Sequence, residues 1–456
     1  MKNLAFLFLL IPSLIFGDSP RPNILFIMAD DLGWMDLGCQ GNKLIETPHL
    51  DRMASEGMRF TDAYAAAPVC SPTRCAVLTG QAPARIGLTT HLPGRFFPKD
   101  DRPQPAILKT HLETEHVTIA ERMKEAGYTN AFLGKWHIAP SVSSGGRVAE
   151  EFSPIGQGFD VNIGGTSYGG PPSFFSPYKN AELKDGPEGE YLPDRLTDET
   201  IQFIKENKSK PWMVHLWYYT PHWPMQAPEA LVKKYKDIRG PGLRDHRYAA
   251  MIEAMDSAIG RLLKALDSSG LAENTLVIFT SDNGGFAGVA DPRPLRQSKG
   301  HLYEGGIRVP MIARWPGVVP AGELCNVPVI SMDYYPTFLA MAGLEPSVKP
   351  IDGENLLPLL RNDGRLKRRR LFFHFPNYAW HMDNRLGGVV REGQWKLLRN
   401  YDDGSLELYN LSKDLSEKSN LVRKEQALAR RLDGELSQWL KETGAPMPRP
   451  PRKSGQ

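Results

Sequence analysis

The segment Cys70-Ser71-Pro72-Thr73-Arg74-Cys75-Ala76-Val77-Leu78-Thr79-Gly80 puts a thiol at the start of a helix pattern. Ser71 has the chemistry of a cap, Pro72 suits a first turn and Gly80 suits a stop. Cys70 then sits at a helix N-terminus, where partial positive charge favours anions, with Arg74 one turn further on. On residue type alone this is a reactive thiol or an anion site, although a small buried cysteine in a capped helix is the commoner arrangement. Other chemical groups follow apolar runs. Asp30 and Asp31 follow Asn23–Ala29, Lys135 and His137 follow Thr129–Leu133, His222 follows Trp212–Tyr218, and Asp282 and Asn283 follow Thr275–Thr280. If those runs are strands, each group lies just past a carboxyl end, the edge where an open α/β sheet forms its ligand crevice. Asp30, Asp31, Asp282 and Asn283 form an oxygen-rich set, which suits Ca²⁺ or Mg²⁺ rather than zinc. Singly, Asp30–Asp31 would serve as a helix cap and Asp282-Asn283-Gly284 as a turn. Two acidic pairs at two strand ends favour a metal.

The elements that must position these groups are legible as periodicity. The run Asn23–Ala29 is continuously apolar, as expected of a parallel strand covered on both faces. Thr118–Ala126 reads as a helix stopped by Gly127, and Tyr248, Ile252, Met255, Ile259, Leu262, Leu263 and Leu266 recur at helical spacing before Gly270. Alternating strands and helices as far as about Gly343 predict an α/β sheet with helices on both faces. Gly164–Pro177 reads as a long loop. Beyond the charge run Lys367–Arg370, taken as a solvated linker, Gly388–Arg391, Trp395–Arg399 and Leu406–Tyr409 are short strands, and a helix closes the chain from about Lys424 to Lys441. The expected division is a leader at 1–17, a catalytic domain at 18–369, a smaller α+β domain at 370–443 and a loose tail at 444–456.

Lys2, the 13 almost wholly apolar residues Leu4–Phe16 and the small Gly17 read as a secretory signal peptide. The apolar stretch falls short of the roughly 18 residues needed to span a bilayer. An uncleaved anchor is the lesser alternative, so no membrane anchor is expected. No cysteine lies near the cleavage point, so no lipid anchor is expected either, and the mature chain is expected in the periplasm or outside the cell. With 55 Lys+Arg against 52 Asp+Glu, a net charge of +3 gives no case for a nucleic-acid binder. Four cysteines in 456 residues exclude a disulfide scaffold.

Cys-x-Pro-x-Arg followed by a small-apolar run and Leu-Thr-Gly resembles the hallmark of the sulfatase family. Further segments resemble that family in its order. They are Pro22-Asn23-Ile24 with Asp30-Asp31-Leu32-Gly33, Thr47-Pro48-His49-Leu50-Asp51, Gly134-Lys135-Trp136-His137, Thr220-Pro221-His222, Thr280-Ser281-Asp282-Asn283-Gly284, and Lys299 before Glu304-Gly305-Gly306. The resemblance covers nearly the whole mature chain and is closest to the branch of arylsulfatase A, N-acetylgalactosamine-6-sulfatase and bacterial polysaccharide sulfatases. It implies an alkaline-phosphatase-like mixed sheet flanked by helices, with a smaller C-terminal antiparallel sheet plus helix. It implies one Ca²⁺ held by Asp30, Asp31, Asp282, Asn283 and the residue made from Cys70. That residue is formylglycine, whose hydrate attacks sulfur with one hydroxyl and releases sulfate through the second. By the same resemblance His137 is the base for release and Lys135 and Arg74 position the diol. His222 and Lys299 bind sulfate and protonate the leaving alcohol. The implied partners are a sulfated carbohydrate and a formylglycine-generating or anaerobic sulfatase-maturing enzyme.

Two other readings stand beside this one: a phosphodiesterase or phosphonate monoester hydrolase of the same superfamily, and a non-catalytic binder of sulfated glycans. Once Cys70 is converted, Cys39, Cys75 and Cys325 allow at most one disulfide. His91, Arg95, His374, Asn377, His381 and Arg385 fall on predicted loops and read as ordinary surface residues. Trp217, Tyr218, Trp223, Tyr378 and Trp380 are aromatics that could stack on sugar rings.

Overall fold

A computed structural model describes residues 21–94, 102–346, 350–379 and 384–451. The leader, Arg95, Trp380 and His381 lie outside the described residues. Strand β1 (Asn23–Ala29) is the centre of the molecule. Along it Leu25, Ile27 and Ala29 join the core on one face, while Ile24, Phe26 and Met28 join the core on the other. The alternation follows from the two-residue period of a strand, and an apolar residue at every position follows from both faces being covered.

In chain order the other strands are β2 (Met58–Phe60), β3 (Ala63–Tyr64), β4 (Thr129–Gly134), β5 (Val161–Ile163), β6 (Trp212–Trp217), β7 (Thr275–Ser281), β8 (Met311–Arg314), β9 (Glu323–Cys325) and β10 (Val329–Ile330). Eight of them form one sheet in the order β5-β4-β6-β1-β7-β8-β2-β9. The pairings on the β5 side of β8 are parallel, and β8 runs antiparallel to both its neighbours. The short β3 and β10 pair separately. Helices Pro48–Ser55, Leu192–Asn207 and His246–Ser268 bury their apolar stripes on the face of Leu25 and Ile27, and helices Cys70–Thr79, Ile119–Glu125 and Tyr334–Met341 cover the other. Helix Ile119–Glu125 starts where the sequence says it must, because Thr118 and Glu121 form a reciprocal capping box.

The C-terminal unit is an antiparallel sheet, β11 (Arg370–Phe375), β12 (Gly387–Glu392), β13 (Trp395–Asn400) and β14 (Leu406–Asn410), covered by helix Gln426–Glu442. Helix residues Leu432 and Leu436 pack there against Val390, Leu397 and Leu408. Buried charge ties this unit to the larger sheet. Lys396 of β13 pairs with Glu304 at 2.9 Å and Glu417 at 2.8 Å, and Glu304 also pairs with Arg308 at 3.0 Å.

Several expectations change here. The charge run is only half solvated: Lys367 and Arg369 are exposed, but Arg368 pairs with Asp333 and Arg370 opens β11 paired to Glu392. His374 lies on β11, buried, with its ring nitrogens against Tyr401 Oη and the Pro446 carbonyl. Asn377 is buried and donates to Thr89, and Arg385 pairs with Asp402 and Asp403. The tail is tied back as far as it is described, through a backbone bridge between Gln104 and Arg449 and an Arg449 side-chain bond to Pro105. All four cysteines are free thiols.

His215 of β6 lies buried among Phe26, Phe159, Trp217 and Phe338, and neither ring nitrogen has a hydrogen-bond partner. Burial pulls its pKa down to about 3. A folded-state value below the unfolded one contributes stability that is present above pH 6.5 and lost as pH falls towards 3. The loss reaches about 2–3 kcal/mol by pH 4.5. His215→Leu is expected to flatten that part of the acid limb in a plot of Tm against pH, and parallel curves for the two proteins would count against it.

Candidate active site

Four adjacent strands, β4, β6, β1 and β7, end at one edge. The register pairs Ala29 with Ser281 and Met28 with Trp217, so Asp30 and Asp282 emerge side by side. Backbone bonds extend the ladders one step: Asp30 N donates to Thr220 O, Lys135 N to Trp217 O and Asp282 N to Ala29 O. Asp31 (φ 65°) and His137 (φ 54°) both take left-handed conformations uncommon for their types, so the chain turns sharply as it leaves β1 and β4. Helix Cys70–Thr79 aims its N-terminus at the same edge.

The cap assignment is corrected. The helix begins at Cys70 itself after Val69, with no side-chain cap. Ser71 instead donates to the His137 carbonyl at 2.8 Å and accepts from Leu92 N at 3.0 Å, which braces the helix against the β4 loop. Gly80 does stop the helix, at φ 68°.

The carboxylates and cations interlock. Lys135 Nζ lies 2.6 Å from Asp30 Oδ2, and Lys299 Nζ lies 2.6 Å from Asp31 Oδ1. Arg74 Nη2 bonds Asp282 Oδ2 at 2.7 Å, stands 3.6 Å from Asp30 Oδ1, and its Nη1 donates to the Lys135 carbonyl. Arg74 is fully buried, and its guanidinium lies over the Trp217 ring. Its place is beneath the crevice, where it orients two carboxylates and the lysine backbone. Burial raises the Asp30 pKa, as do Asp282 and Asp31, against Lys135 and Arg74. Burial also works against ionised Asp31, but Lys299, His222 and Lys135 hold it below the usual carboxylate range. Three carboxylates meet three cations, so a divalent ion would leave the site doubly positive.

Asp30, Cys70 and Asp282 each turn a ligand atom to a common point, all within 4.8 Å of one another. Asp30 Oδ1 and Asn283 Oδ1 are buried without a hydrogen-bond partner. Orphaned buried oxygens are rare and costly, so a hard cation fits this donor set. Burial raises the Cys70 thiol pKa despite Lys135 and Lys299, so as cysteine it stays protonated.

Both histidines have readable tautomers. His137 Nε2 lies 2.7 Å from the Leu92 carbonyl, so it carries the proton and leaves Nδ1, which has no partner, as a bare acceptor. Burial, then Lys135, keeps that ring neutral. His222 Nδ1 lies 2.9 Å from the Trp223 carbonyl and its Nε2 lies 3.7 Å from Asp31 Oδ2. Burial lowers this pKa too, against the pull of Asp31.

A cavity of about 600 Å³ opens over Asp31, Cys70, His137, His222 and Lys299. Of its remaining lining the sequence singled out only Trp223, as one of five aromatics that could stack on sugar rings. His91, set aside as a surface residue, is one wall, and Tyr168, Gly169, Gly170, Trp223 and Phe286 are others. The Gly-Gly step inside the 164–177 loop was the available signal. A Cβ on Gly169 would stand 2.9 Å from His137 Cε1 and Nε2, and one on Gly170 would stand 2.8 Å from His222 Nδ1 and 2.5 Å from the Trp223 carbonyl. Of the aromatics considered as sugar platforms, Trp217 and Tyr218 are core residues, and Tyr378 is buried beneath Arg102.

A strand-end crevice of this composition on this sheet defines a hydrolase of the alkaline phosphatase superfamily. The family model described as Sulfatase matches residues 22–344, and one described as N-sulphoglucosamine sulphohydrolase, C-terminal, matches residues 297–443. The chain belongs to the sulfatase family, the sulfuric ester hydrolases. A sulfatase of Formosa agariphila is 31% identical, covering 93% of this chain and 90% of that protein. Human N-acetylgalactosamine-6-sulfatase is 36% identical over 78% of this chain and 69% of its own. Among solved structures Ps i-CgsB superposes with a TM-score of 0.78 at 31% identity over 93% of both chains, and a second structure of it holds k-i-k-neocarrahexaose.

Both glycines have ordinary φ values, so alanine would meet a steric problem and no backbone strain. Gly169→Ala and Gly170→Ala are therefore expected to displace the histidines and lower sulfatase kcat by about 10–100-fold while Tm shifts by only a few degrees. Gly170→Ala should cost more, because a backbone carbonyl stands in its way. Unchanged kcat in both variants would show that the histidines do not depend on this strap.

Proposed function

We propose that the chain removes sulfate from a sulfated carbohydrate outside the cytoplasm, using formylglycine made from Cys70 and a Ca²⁺ held by Asp30, Asp31, Asp282 and Asn283 with residue 70. The observation that carries this reading is the convergence of Asp30, Asp282 and Cys70 beside the unpartnered oxygens of Asp30 and Asn283. When bound, the ion would polarise a sulfate oxygen and acidify a hydroxyl at residue 70. A hydrated aldehyde offers two hydroxyls on one carbon, one to attack and one to expel sulfate, which serine and cysteine lack.

The chain's own residues do the rest. Lys299 and Lys135 present ammonium groups to the anion. His137 Nδ1, bare and neutral, accepts the proton that must leave residue 70 when sulfate is expelled. His222 and Lys299 bind the sulfate and serve the leaving alcohol's protonation, with Lys299 already carrying its proton beside Asp31. Arg74 keeps Asp282 and Asp30 aligned from below.

Support for a carbohydrate comes from relatives named for N-acetylgalactosamine 6-sulfate and from the neocarrahexaose held by Ps i-CgsB. The apolar leader supports export, and among the described residues no helix is long and apolar enough to cross a membrane. Export and conversion of Cys70 together require a formylglycine-generating or anaerobic sulfatase-maturing enzyme as partner. The test is release of inorganic sulfate by the matured protein from sulfated oligosaccharides, run beside phosphate-diester and phosphonate-ester substrates. Sulfate release is the expected result. Faster turnover of the phosphorus esters would overturn the reading in favour of a phosphonate or phosphodiester hydrolase.

A further inference from the structure

We propose that Trp223, which shares its cavity lining with Tyr168 and Phe286, forms a subsite for the ring face of the sugar that bears the sulfate, which makes Trp223 a specificity-determining residue. The inference rests on the carbohydrate-sulfatase reading and assigns its substrate contact.

The cavity is divided by chemistry. Its floor is ionic and polar, built from Asp31, Cys70, Lys299 and the two histidines. A sulfate group, five heavy atoms, fills only a small part of about 600 Å³. The remaining space takes the alcohol, and three aromatic residues from three separate loops line it: Tyr168, Trp223 and Phe286. Trp223 is 44% exposed, and no other aromatic residue among those described is exposed. An indole left open to water beside a cationic floor is a surface waiting for an apolar face. A pyranose offers one, since its axial C–H groups form an apolar patch while its hydroxyls stay at the edge. The polar groups of His91 and Ser167 in the same lining suit that edge and suit a wholly apolar alcohol less.

The platform is also fixed relative to the reacting centre. The Trp223 carbonyl accepts from His222 Nδ1 at 2.9 Å, and the absence of a side chain on Gly170 lets that carbonyl approach. That bond ties the backbone bearing Trp223 directly to the histidine that serves the leaving oxygen.

The test is calorimetric and uses the full chain with Cys70→Ala, in calcium, so that ligands bind without turnover. The probes are inorganic sulfate, the 6-sulfates of galactose, glucosamine and N-acetylgalactosamine, and a steroid sulfate. At least one sugar sulfate should bind more tightly than inorganic sulfate. Adding Trp223→Ala should weaken that sugar sulfate by about tenfold and leave inorganic sulfate unchanged, and Trp223→Phe should restore most of the loss. The subsite is overturned if no sugar sulfate binds more tightly than inorganic sulfate, if both ligand types weaken equally, or if Trp223→Ala changes neither. It is also overturned if a steroid sulfate binds more tightly than every sugar and loses most on Trp223→Ala. Failure of the underlying reading is separate: the matured wild-type protein would release no sulfate from any ester, whatever these binding constants show.

Discussion

Cys70→Ala is expected to abolish sulfate release, lowering kcat by at least about 10⁴-fold while the protein stays folded. Cys70 is buried at the first position of its helix, and its side chain lines the cavity floor. Losing the sulfur therefore opens no void in the apolar core, and Tm should move by only a few degrees. The nucleophile cannot be supplied by a neighbour. The adjacent Ser71 hydroxyl is engaged by the His137 carbonyl and Leu92 N, and the next thiol, Cys75, lies in the core, where burial holds it protonated. Nor is the unmodified thiol a substitute, since burial pushes its pKa up despite Lys135 and Lys299. The companion measurement is the mass of the peptide containing Cys70 from the native host. It should be about 18 Da lighter than the cysteine form, and specific activity should scale with the converted fraction. Full activity from protein carrying only cysteine at 70, or from Cys70→Ala, would remove the formylglycine step.

Stripping the metal should cost nearly as much. Chelation followed by dialysis is expected to lower activity by at least about 10³-fold and to lower Tm by several degrees, both recovered on adding Ca²⁺. The physical source is the donor set. Without an ion, Asp30 Oδ1 and Asn283 Oδ1 are buried with no partner, at about 1–3 kcal/mol each. Burial, with Asp282 and Asp31 alongside, also raises the Asp30 pKa. Asn283→Ala is the cleaner variant, because Asn283 belongs to no ion pair, whereas Asp282→Ala would strand the buried Arg74. It should raise the Ca²⁺ needed for half-maximal activity by about 10–100-fold with full activity approached at saturation. Unchanged activity in chelator would show that Asp30, Asp31, Asp282 and Asn283 hold no catalytic ion.

Much of this was legible because it is written locally. The apolar run of β1 announces a doubly covered strand, Asp30–Asp31 mark its end, and Thr118 with Glu121 spell a helix start. Such features depend on neighbours two to four residues away. The ordered motifs from Asp30 to Lys299 carried the family, and with it the fold and the list of reactive groups. The sequence alone thus named the chemical groups that meet at the strand-end crevice.

What it did not show are contacts between distant segments. Ser71 looks like a cap but braces the His137 loop, and Lys367–Arg370 looks solvated but sends Arg368 to a buried partner. His91 looks like surface but becomes a cavity wall, and Trp223 could not be told from the core aromatics Trp217 and Tyr218. Each depends on the strand order β4-β6-β1-β7 and on which loops cross that edge. No short-range periodicity encodes that order, because side chains hundreds of residues apart meet only after the sheet has formed. The tertiary structure alone decided which tautomer each histidine presents, where the glycine strap lies between them, and which aromatic lines the cavity while staying open to water.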